Sequence, residues 1–167
     1  MALTLELPDA DATFELGRAL GRVVPPGTVL LLRGPLGAGK TCLVQGVARG
    51  LGLPDSAGVR SPSYALMRVH EEGRMPLVHV DLYRLEDPDE LAELGLEEWF
   101  DGDALIAVEW VDRFADAFTD QGIEIELCYR DGGSGRDITL AGTDASTRAA
   151  VETLRAELGL GGAAGGA

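Results

Sequence analysis

The sequence carries the run Gly34-Pro35-Leu36-Gly37-Ala38-Gly39-Lys40-Thr41. This run matches the pattern G-x-x-x-x-G-K-[ST], which is typical of loops that bind phosphate groups. Glycines let backbone N–H groups turn toward phosphate oxygens, because no Cβ atom stands in the way. The pattern predicts that Lys40 neutralises β- and γ-phosphate charge and that Thr41 ligates Mg²⁺. Nucleotide contacts are expected from Gly34, Leu36, Gly37, Ala38, Gly39, Lys40, Thr41 and Cys42.

The residues on either side of this loop have the patterns of a strand and a helix. Residues 28–32 form a short apolar run that follows a Pro-Pro-Gly turn, as expected for a buried parallel strand. After the loop, Leu43, Val47 and Leu51 recur at helical spacing. A helix that begins here would direct the positive end of its dipole at the same phosphate. Strand, glycine loop and helix together predict a nucleotide-binding site.

Lys40 is the single lysine of the chain, and the remaining basic residues are arginines. A GC-rich coding sequence explains why lysine is rare elsewhere, but it does not explain the position of the one that remains. A GTPase is disfavoured, because its guanine-reading Asn-Lys-x-Asp motif needs a second lysine.

Composition and charge limit the classes of protein that remain. The 167 residues include 46% hydrophobic and 25% charged residues, which favours one globular domain, predicted at residues 1–158, with a flexible Gly/Ala tail at 159–167. No apolar run approaches the ~20 residues that span a bilayer, and no signal-peptide pattern is present. Cys42 and Cys128 have no metal-ligand spacing and are interpreted as reduced thiols. We therefore expect a cytoplasmic protein that does not bind membranes.

The formal net charge of −14 argues against direct binding of nucleic acid, because contacts to phosphate rely on clustered basic side chains. Residues 86–103 are rich in acids and contain no basic residue. This segment is either a solvated helix face or a docking surface for a basic partner.

Alternating strand and helix patterns favour the α/β class. We predict a P-loop NTPase-like fold, with a mainly parallel sheet flanked by helices and with antiparallel additions. Strands are predicted at residues 3–7, 28–32, 65–69, 76–82, 104–108, 123–129 and 136–140. Helices are predicted after Asp9 or Asp11, after the P-loop, from Asp87, and from about Asp144 to Leu158.

Two acids follow apolar runs, where strand ends would bring them near Thr41. Asp81 and Glu109 are therefore candidate metal-site carboxylates, although each can also be an ordinary acid at a strand end. Ser63 belongs either to a switch-like loop that reaches Mg²⁺ or to a plain Ser-Pro turn. His70 and His79 form no metal cluster, and packed histidines are the preferred interpretation.

Four blocks in this order and spacing resemble the bacterial TsaE (YjeE) family, from about Thr13 to Arg136. They are residues 36–41 (Leu-Gly-Ala-Gly-Lys-Thr), 61–64 (Ser-Pro-Ser-Tyr), 79–85 (His-Val-Asp-Leu-Tyr-Arg-Leu) and 108–110 (Val-Glu-Trp). The resemblance implies a small P-loop ATPase that uses ATP and Mg²⁺. It also implies a role in forming threonylcarbamoyladenosine (t⁶A) at position 37 of tRNA, together with the TsaB–TsaD pair, which holds the transferase site. Contact with tRNA would be indirect, through these partners.

The resemblance also implies roles for individual residues. Lys40 would hold phosphates, Thr41 and Glu109 would ligate Mg²⁺, and Asp81 would be an essential acid near the γ-phosphate or the metal. Ser63 would lie in the switch-like loop, where the family usually has threonine. Thr13 would lie near the adenine, and Arg136 would approach the nucleotide. Trp110 would lie near the site.

Two other functions remain open. A small-molecule kinase would share the P-loop and the size, but an arginine-rich lid and an acceptor pocket are not recognisable. A non-catalytic adaptor would bind a nucleotide for structural purposes. No arginine finger is placed by the sequence: Arg60, Arg68 and Arg84 are candidates, and a partner could also supply one. We therefore expect slow turnover by the isolated protein.

Overall fold

The computed structural model describes residues 1–118 and 122–160. These residues contain seven strands and five α-helices. The strands are β1 (Leu3–Leu7), β2 (Val29–Arg33), β3 (Met67–His70), β4 (Leu77–Asp81), β5 (Leu105–Glu109), β6 (Ile123–Tyr129) and β7 (Arg136–Gly142). The helices are α1 (Ala10–Val23), α2 (Lys40–Gly50), α3 (Pro88–Glu93), α4 (Glu97–Phe100) and α5 (Ala145–Glu157), with 3₁₀ segments at Asp55–Ala57 and Val111–Phe118. Most of the predicted tail, residues 161–167, lies outside the described residues.

All seven strands join one sheet in the order β1-β7-β6-β2-β5-β4-β3. The four central strands, β6, β2, β5 and β4, pair in parallel. The flanking pairs β3–β4, β6–β7 and β1–β7 are antiparallel. The predicted mainly parallel sheet with antiparallel additions is confirmed. Strands β4 and β5 are buried along their whole length, as expected of parallel strands covered on both faces.

Helices α1 and α2 approach each other so closely that only glycine fits at their contact. Gly17 and Gly21 of α1 face Gly46 and Gly50 of α2. A Cβ atom at Gly17 would overlap the carbonyl oxygen of Leu43, and one at Gly46 would overlap the carbonyl oxygen of α1 residue Phe14. This packing brings the N-terminal turn of α1 beside the beginning of α2, where the P-loop ends.

Helix starts follow the predicted capping residues. Asp9 caps α1 by accepting from the N–H of Ala12 at 2.8 Å. Asp87 and Glu90 form a capping box at the start of α3, and Asp144 caps α5. The short helix α4 and the 3₁₀ segment Val111–Phe118 were not expected from the sequence. Across residues 1–118 and 122–160, none of the helices combines the length and apolar character needed to cross a membrane.

Candidate nucleotide and metal site

The P-loop connects the central strand β2 to helix α2, which begins at Lys40. Its backbone takes positive φ values at Gly34 (144°), Gly37 (75°) and Gly39 (107°). A side chain is strained at these angles, and a Cβ atom at Gly34 would also overlap the carbonyl oxygen of Leu127 on β6. The glycines that the motif requires are therefore needed for the path of this loop.

The Lys40 ammonium turns back toward its own loop. Its Nζ donates to the carbonyl oxygens of Gly34 at 2.6 Å and Pro35 at 2.9 Å, and it lies 3.8 Å from the centre of the Trp110 ring. Burial lowers the pKa of Lys40, and the nearby carboxylates of Glu109, Asp112 and Asp81 oppose that shift. A buried cation at the P-loop is suited to neutralising phosphate charge.

Thr41 and Glu109 come together at the carboxyl ends of β2 and β5. The Thr41 hydroxyl donates to Oε1 of Glu109 at 2.7 Å, across 68 positions of sequence. Strands β2 and β5 pair in parallel with Leu32 opposite Glu109, which brings the acid to the same sheet edge as the loop. Glu109 is 2% exposed. The two oxygen donors predicted to ligate Mg²⁺ are thus neighbours.

Asp81 ends β4, opposite Glu109 in the register of β4 and β5. Its Oδ2 accepts from the Ser61 hydroxyl, and its Oδ1 accepts from the N–H of Tyr83 at 2.9 Å. The Ser61 and Ser63 hydroxyl oxygens lie 3.0 Å apart. The Ser61-Pro62-Ser63 loop is therefore connected to Asp81 through the Ser61 hydroxyl.

Trp110 follows Glu109 in a left-handed backbone conformation, with φ of 62°. Residues other than glycine rarely adopt this backbone conformation, and such strain is often found at functional sites. The conformation places the indole ring beneath Lys40 and 4.8 Å, centre to centre, from the Tyr83 ring. Trp110 and Tyr83 both line the site, which for Trp110 is the position that the resemblance implied.

Arg136 and Thr13 lie on the opposite side of the P-loop. Arg136 donates from Nε to the carbonyl oxygen of Ala38 at 3.0 Å and from Nη2 to that of Gly37 at 3.1 Å. Thr13 is buried near Gly39. Thr13, predicted near the adenine, and Arg136, predicted to approach the nucleotide, therefore both lie next to the loop.

Two cavities flank the P-loop and share its residues. One, of about 370 Å³, contains the metal-side groups, and the other, of about 450 Å³, contains Thr13 and Arg136. Together they bring all the predicted site residues except Gly34 into two adjoining spaces, and Gly34 contacts Lys40 directly. Of the candidate arginine fingers, Arg84 lines the metal-side cavity, whereas Arg60 and Arg68 are absent from its lining.

The donor set fits Mg²⁺ bound together with a nucleotide. Hydroxyl and carboxylate oxygens are the ligands that Mg²⁺ prefers, and it usually takes one or two carboxylates plus phosphate oxygens. Within the described part of the chain, no group of three or more His, Cys, Asp or Glu side chains is arranged to hold a metal ion. The protein oxygens at Thr41 and Glu109 would thus need phosphate and water oxygens to complete the coordination.

Two contacts of the site were missed in the sequence. His79, interpreted as a packed histidine, places Nε2 2.8 Å from Oε2 of Glu109. Strand alternation offered one sign of this, because His79 and Asp81 must share a face of β4. Tyr129 donates its hydroxyl to the carbonyl oxygen of Leu36 and packs beneath the Arg136 guanidinium. No sequence pattern indicated that contact.

The centre of the sheet is parallel, and its strand β2 runs through a glycine loop into a helix that begins at Lys40. This arrangement defines a P-loop NTPase-like α/β protein. The family model of the threonylcarbamoyl adenosine biosynthesis protein TsaE matches residues 7–138. The chain belongs to the TsaE family.

Relatives and a solved structure agree with this assignment. The tRNA threonylcarbamoyladenosine biosynthesis protein TsaE of Nostoc sp. is 42% identical over 132 residues, which cover 77% of this chain and 79% of the relative. The protein of the same name from Bacillus subtilis is 36% identical over 129 residues, covering 77% and 78%. The crystal structure of Bacillus subtilis YdiB superposes with a TM-score of 0.77 at 27% identity, covering 94% of this chain and 96% of that one.

Proposed function

We propose that this protein is a Mg²⁺-dependent ATPase that acts with the TsaB–TsaD pair in forming t⁶A at position 37 of tRNA in the cytoplasm. The observation that carries the proposal is the Thr41–Glu109 hydrogen bond, which joins the end of the P-loop to the end of the neighbouring strand. Family membership supplies the pathway, since the relatives named above are tRNA threonylcarbamoyladenosine biosynthesis proteins. Residues 1–158 form the ATPase domain in this proposal.

The residues around the loop would bind and orient the triphosphate. Backbone N–H groups and Lys40 would hold the β- and γ-phosphates. Thr41 and Glu109 would hold Mg²⁺, with Ser63 as a further oxygen donor from the neighbouring loop. When bound, the metal would neutralise charge on the phosphate oxygens.

Asp81 would act on the γ-phosphate side of the same space. Both of its carboxylate oxygens accept hydrogen bonds, from the Ser61 hydroxyl and from the N–H of Tyr83, so its orientation is fixed. The carboxylate is only 4% exposed, and it lines the cavity that contains Lys40 and Glu109. Such a group is suited to orienting water or a metal-bound ligand by hydrogen bonding.

Charge explains why a partner is needed for a role in tRNA modification. With a formal net charge of −14, the chain repels a polyanion, so the tRNA would be held by TsaB–TsaD. Arg84 lines the metal-side cavity, and its guanidinium lies over the Tyr64 ring, 4.3 Å from the ring centre. Turnover would therefore be slow until partner binding moves Arg84 or supplies another cation.

The test is formation of t⁶A37 on unmodified tRNA by purified TsaB–TsaD and the wild-type protein, measured by mass spectrometry of nucleosides. Glu109→Gln keeps the shape of the side chain but removes its charge, and we expect it to stop multiple-turnover formation. Glu126→Gln, on the exposed part of β6, is the matched control and should behave as wild type. Full activity of Glu109→Gln, or no dependence on the wild-type protein, would contradict the proposal.

A further inference from the structure

His79 and Glu109 form a fully buried pair beneath the P-loop helix. His79 is 0% exposed and Glu109 is 2% exposed, and their Nε2 and Oε2 atoms lie 2.8 Å apart. A carboxylate oxygen only accepts hydrogen bonds, so the contact assigns the imidazole tautomer that carries its proton on Nε2. The other ring nitrogen, Nδ1, has no hydrogen-bond partner among the residues that the structure describes. Among residues 1–118 and 122–160, Glu109 is thus the sole hydrogen-bond partner of the imidazole.

The sheet register explains how this pair forms. His79 of β4 lies opposite Ala107 of β5, and Asp81 lies opposite Glu109. Alternation along the two strands puts His79, Asp81 and Glu109 on one face of the sheet. His79 therefore lies diagonally across from Glu109, two residues before Asp81 on β4.

The two oxygens of Glu109 are bound from two sides. Oε1 accepts from the Thr41 hydroxyl at 2.7 Å, and Oε2 contacts His79. Without His79, Oε2 would be left buried with no donor, which costs free energy and favours rotation of the carboxylate. The chain of contacts Thr41–Glu109–His79 therefore determines which oxygen faces the loop.

We propose that His79 is a positioning residue for Glu109. Its Nε2–H holds Oε2 so that Oε1 stays beside Thr41, where the metal of the proposed function would bind. The inference rests on the proposed function, because it assigns to Glu109 the task of holding Mg²⁺. Residues that orient metal ligands in this way typically change metal affinity by about 10- to 100-fold when they are replaced.

Three substitutions separate positioning from simple packing. His79→Leu keeps an apolar side chain in the space but removes the donor to Glu109. His79→Gln retains an N–H donor at a similar reach and should restore much of the effect. His70→Leu is the matched control, since His70 is also a buried histidine, on β3, and its Nε2 has no hydrogen-bond partner among the described residues.

The experiment measures the affinity of each full-length variant for the fluorescent nucleotide N-methylanthraniloyl-ADP, with Mg²⁺ and with EDTA. The readout is the ratio of the two dissociation constants, which reports metal binding without requiring turnover. We expect His79→Leu to reduce the Mg²⁺ enhancement about tenfold or more, with the EDTA affinity close to wild type. His79→Gln should recover most of the enhancement, and His70→Leu should leave it unchanged.

The outcomes distinguish this inference from the proposed function. A wild-type protein whose affinity does not respond to Mg²⁺ contradicts the proposed function, and the inference fails with it. A wild-type response that His79→Leu retains in full contradicts the inference alone. If His79→Leu does not fold, His79→Asn decides: its shorter side chain does not reach Glu109, so an enhancement as large as that of His79→Gln overturns the positioning role.

Discussion

Arg136 on β7 donates from its Nε to the carbonyl oxygen of Ala38 at 3.0 Å, and so links the antiparallel part of the sheet to the P-loop. A second donor of the same guanidinium reaches the carbonyl oxygen of Gly37 at 3.1 Å. The fork shape of arginine suits this double contact, and lysine has no equivalent geometry. Arg136 therefore stabilises the loop conformation by binding its carbonyl groups.

Replacing Arg136 by lysine should weaken ATP binding by about two- to tenfold, because lysine can keep one of the two hydrogen bonds and the lost one contributes about 0.5–1.5 kcal/mol. Isothermal titration calorimetry at fixed Mg²⁺ measures the change. Arg148→Lys, on the exposed surface of α5, is the control and should not alter affinity. Equal affinities of Arg136→Lys and wild type would show that the loop does not need this contact.

The contact between α1 and α2 gives a prediction about stability. Gly46→Ala adds a methyl group where the carbonyl oxygen of Phe14 already lies. Overpacking costs about 1–3 kcal/mol, and a clash with backbone belongs to the upper part of this range, above the gain of about 1 kcal/mol in helix propensity. Urea unfolding should therefore show a lower free energy of unfolding. Ser146→Ala, on the exposed face of α5, should instead be neutral or slightly stabilising, and a stabilised Gly46→Ala would contradict the close packing.

The buried histidine of β3 gives a prediction about pH. Burial lowers the pKa of His70 from its ordinary value of 6.5; Glu72 opposes the shift, and His79 and Arg68 add to it. As pH falls below about 6.5, the unfolded chain takes up a proton that the folded protein still excludes. This contribution to stability is therefore fully present above about pH 6.5 and decreases as the pH falls. It is completely lost once the pH is below the lower pKa of His70 in the folded state.

His70→Gln should remove this part of the pH dependence. The free energy of unfolding, measured with urea between about pH 5 and pH 7.5, should fall less steeply in the variant than in the wild type. Carboxylates contribute equally to both proteins and cancel in the comparison. Identical slopes would show that His70 is not protected from protonation by the fold.

The acidic segment 86–103 is tested by reversing charges on α3. Asp89 and Glu93 are exposed, whereas Glu90 accepts from the backbone N–H groups of Glu86 and Asp87 and should be left intact. If the segment docks on a basic surface of TsaB–TsaD, Asp89→Arg with Glu93→Arg should slow association about tenfold or more at low salt. Surface plasmon resonance measures the rate.

A variant with the same net charge controls for the change in overall charge. Glu15→Arg with Glu152→Arg reverses two exposed acids on α1 and α5. Association unaffected by the α3 substitutions, or slowed equally by both pairs, would mean that the segment is a solvated helix face.

Local patterns predicted most of the fold because apolar runs and capping residues act over short distances. The strand bounds near residues 29–33 and 105–109, and the helix starts after Asp9, Asp87 and Asp144, are examples. The position of β1 beside β7 was not predictable in this way, since the pairing of Leu3 with Leu140 joins the two ends of the chain. The Gly17–Gly46 contact was missed because glycines carry no apolar periodicity.

The site shows the same division between local and distant information. Lys40 and Thr41 follow from one motif, and Asp81 and Glu109 follow from their positions after apolar runs. The contact of His79 with Glu109 depends on β4 lying next to β5, which sequence alone did not establish. A histidine between two valines fits a packed residue equally well until that neighbour is known.

The most direct test of the account is phosphate release from ATP by this protein, alone and with TsaB–TsaD, with Lys40→Ala as the control. Lys40 lies inside the P-loop, within hydrogen-bond distance of the Gly34 and Pro35 carbonyl oxygens. We predict slow release alone, a marked acceleration by the pair, and loss of that acceleration in Lys40→Ala. No acceleration, or an equal rate with Lys40→Ala, would contradict a partner-activated ATPase and favour a nucleotide-binding adaptor.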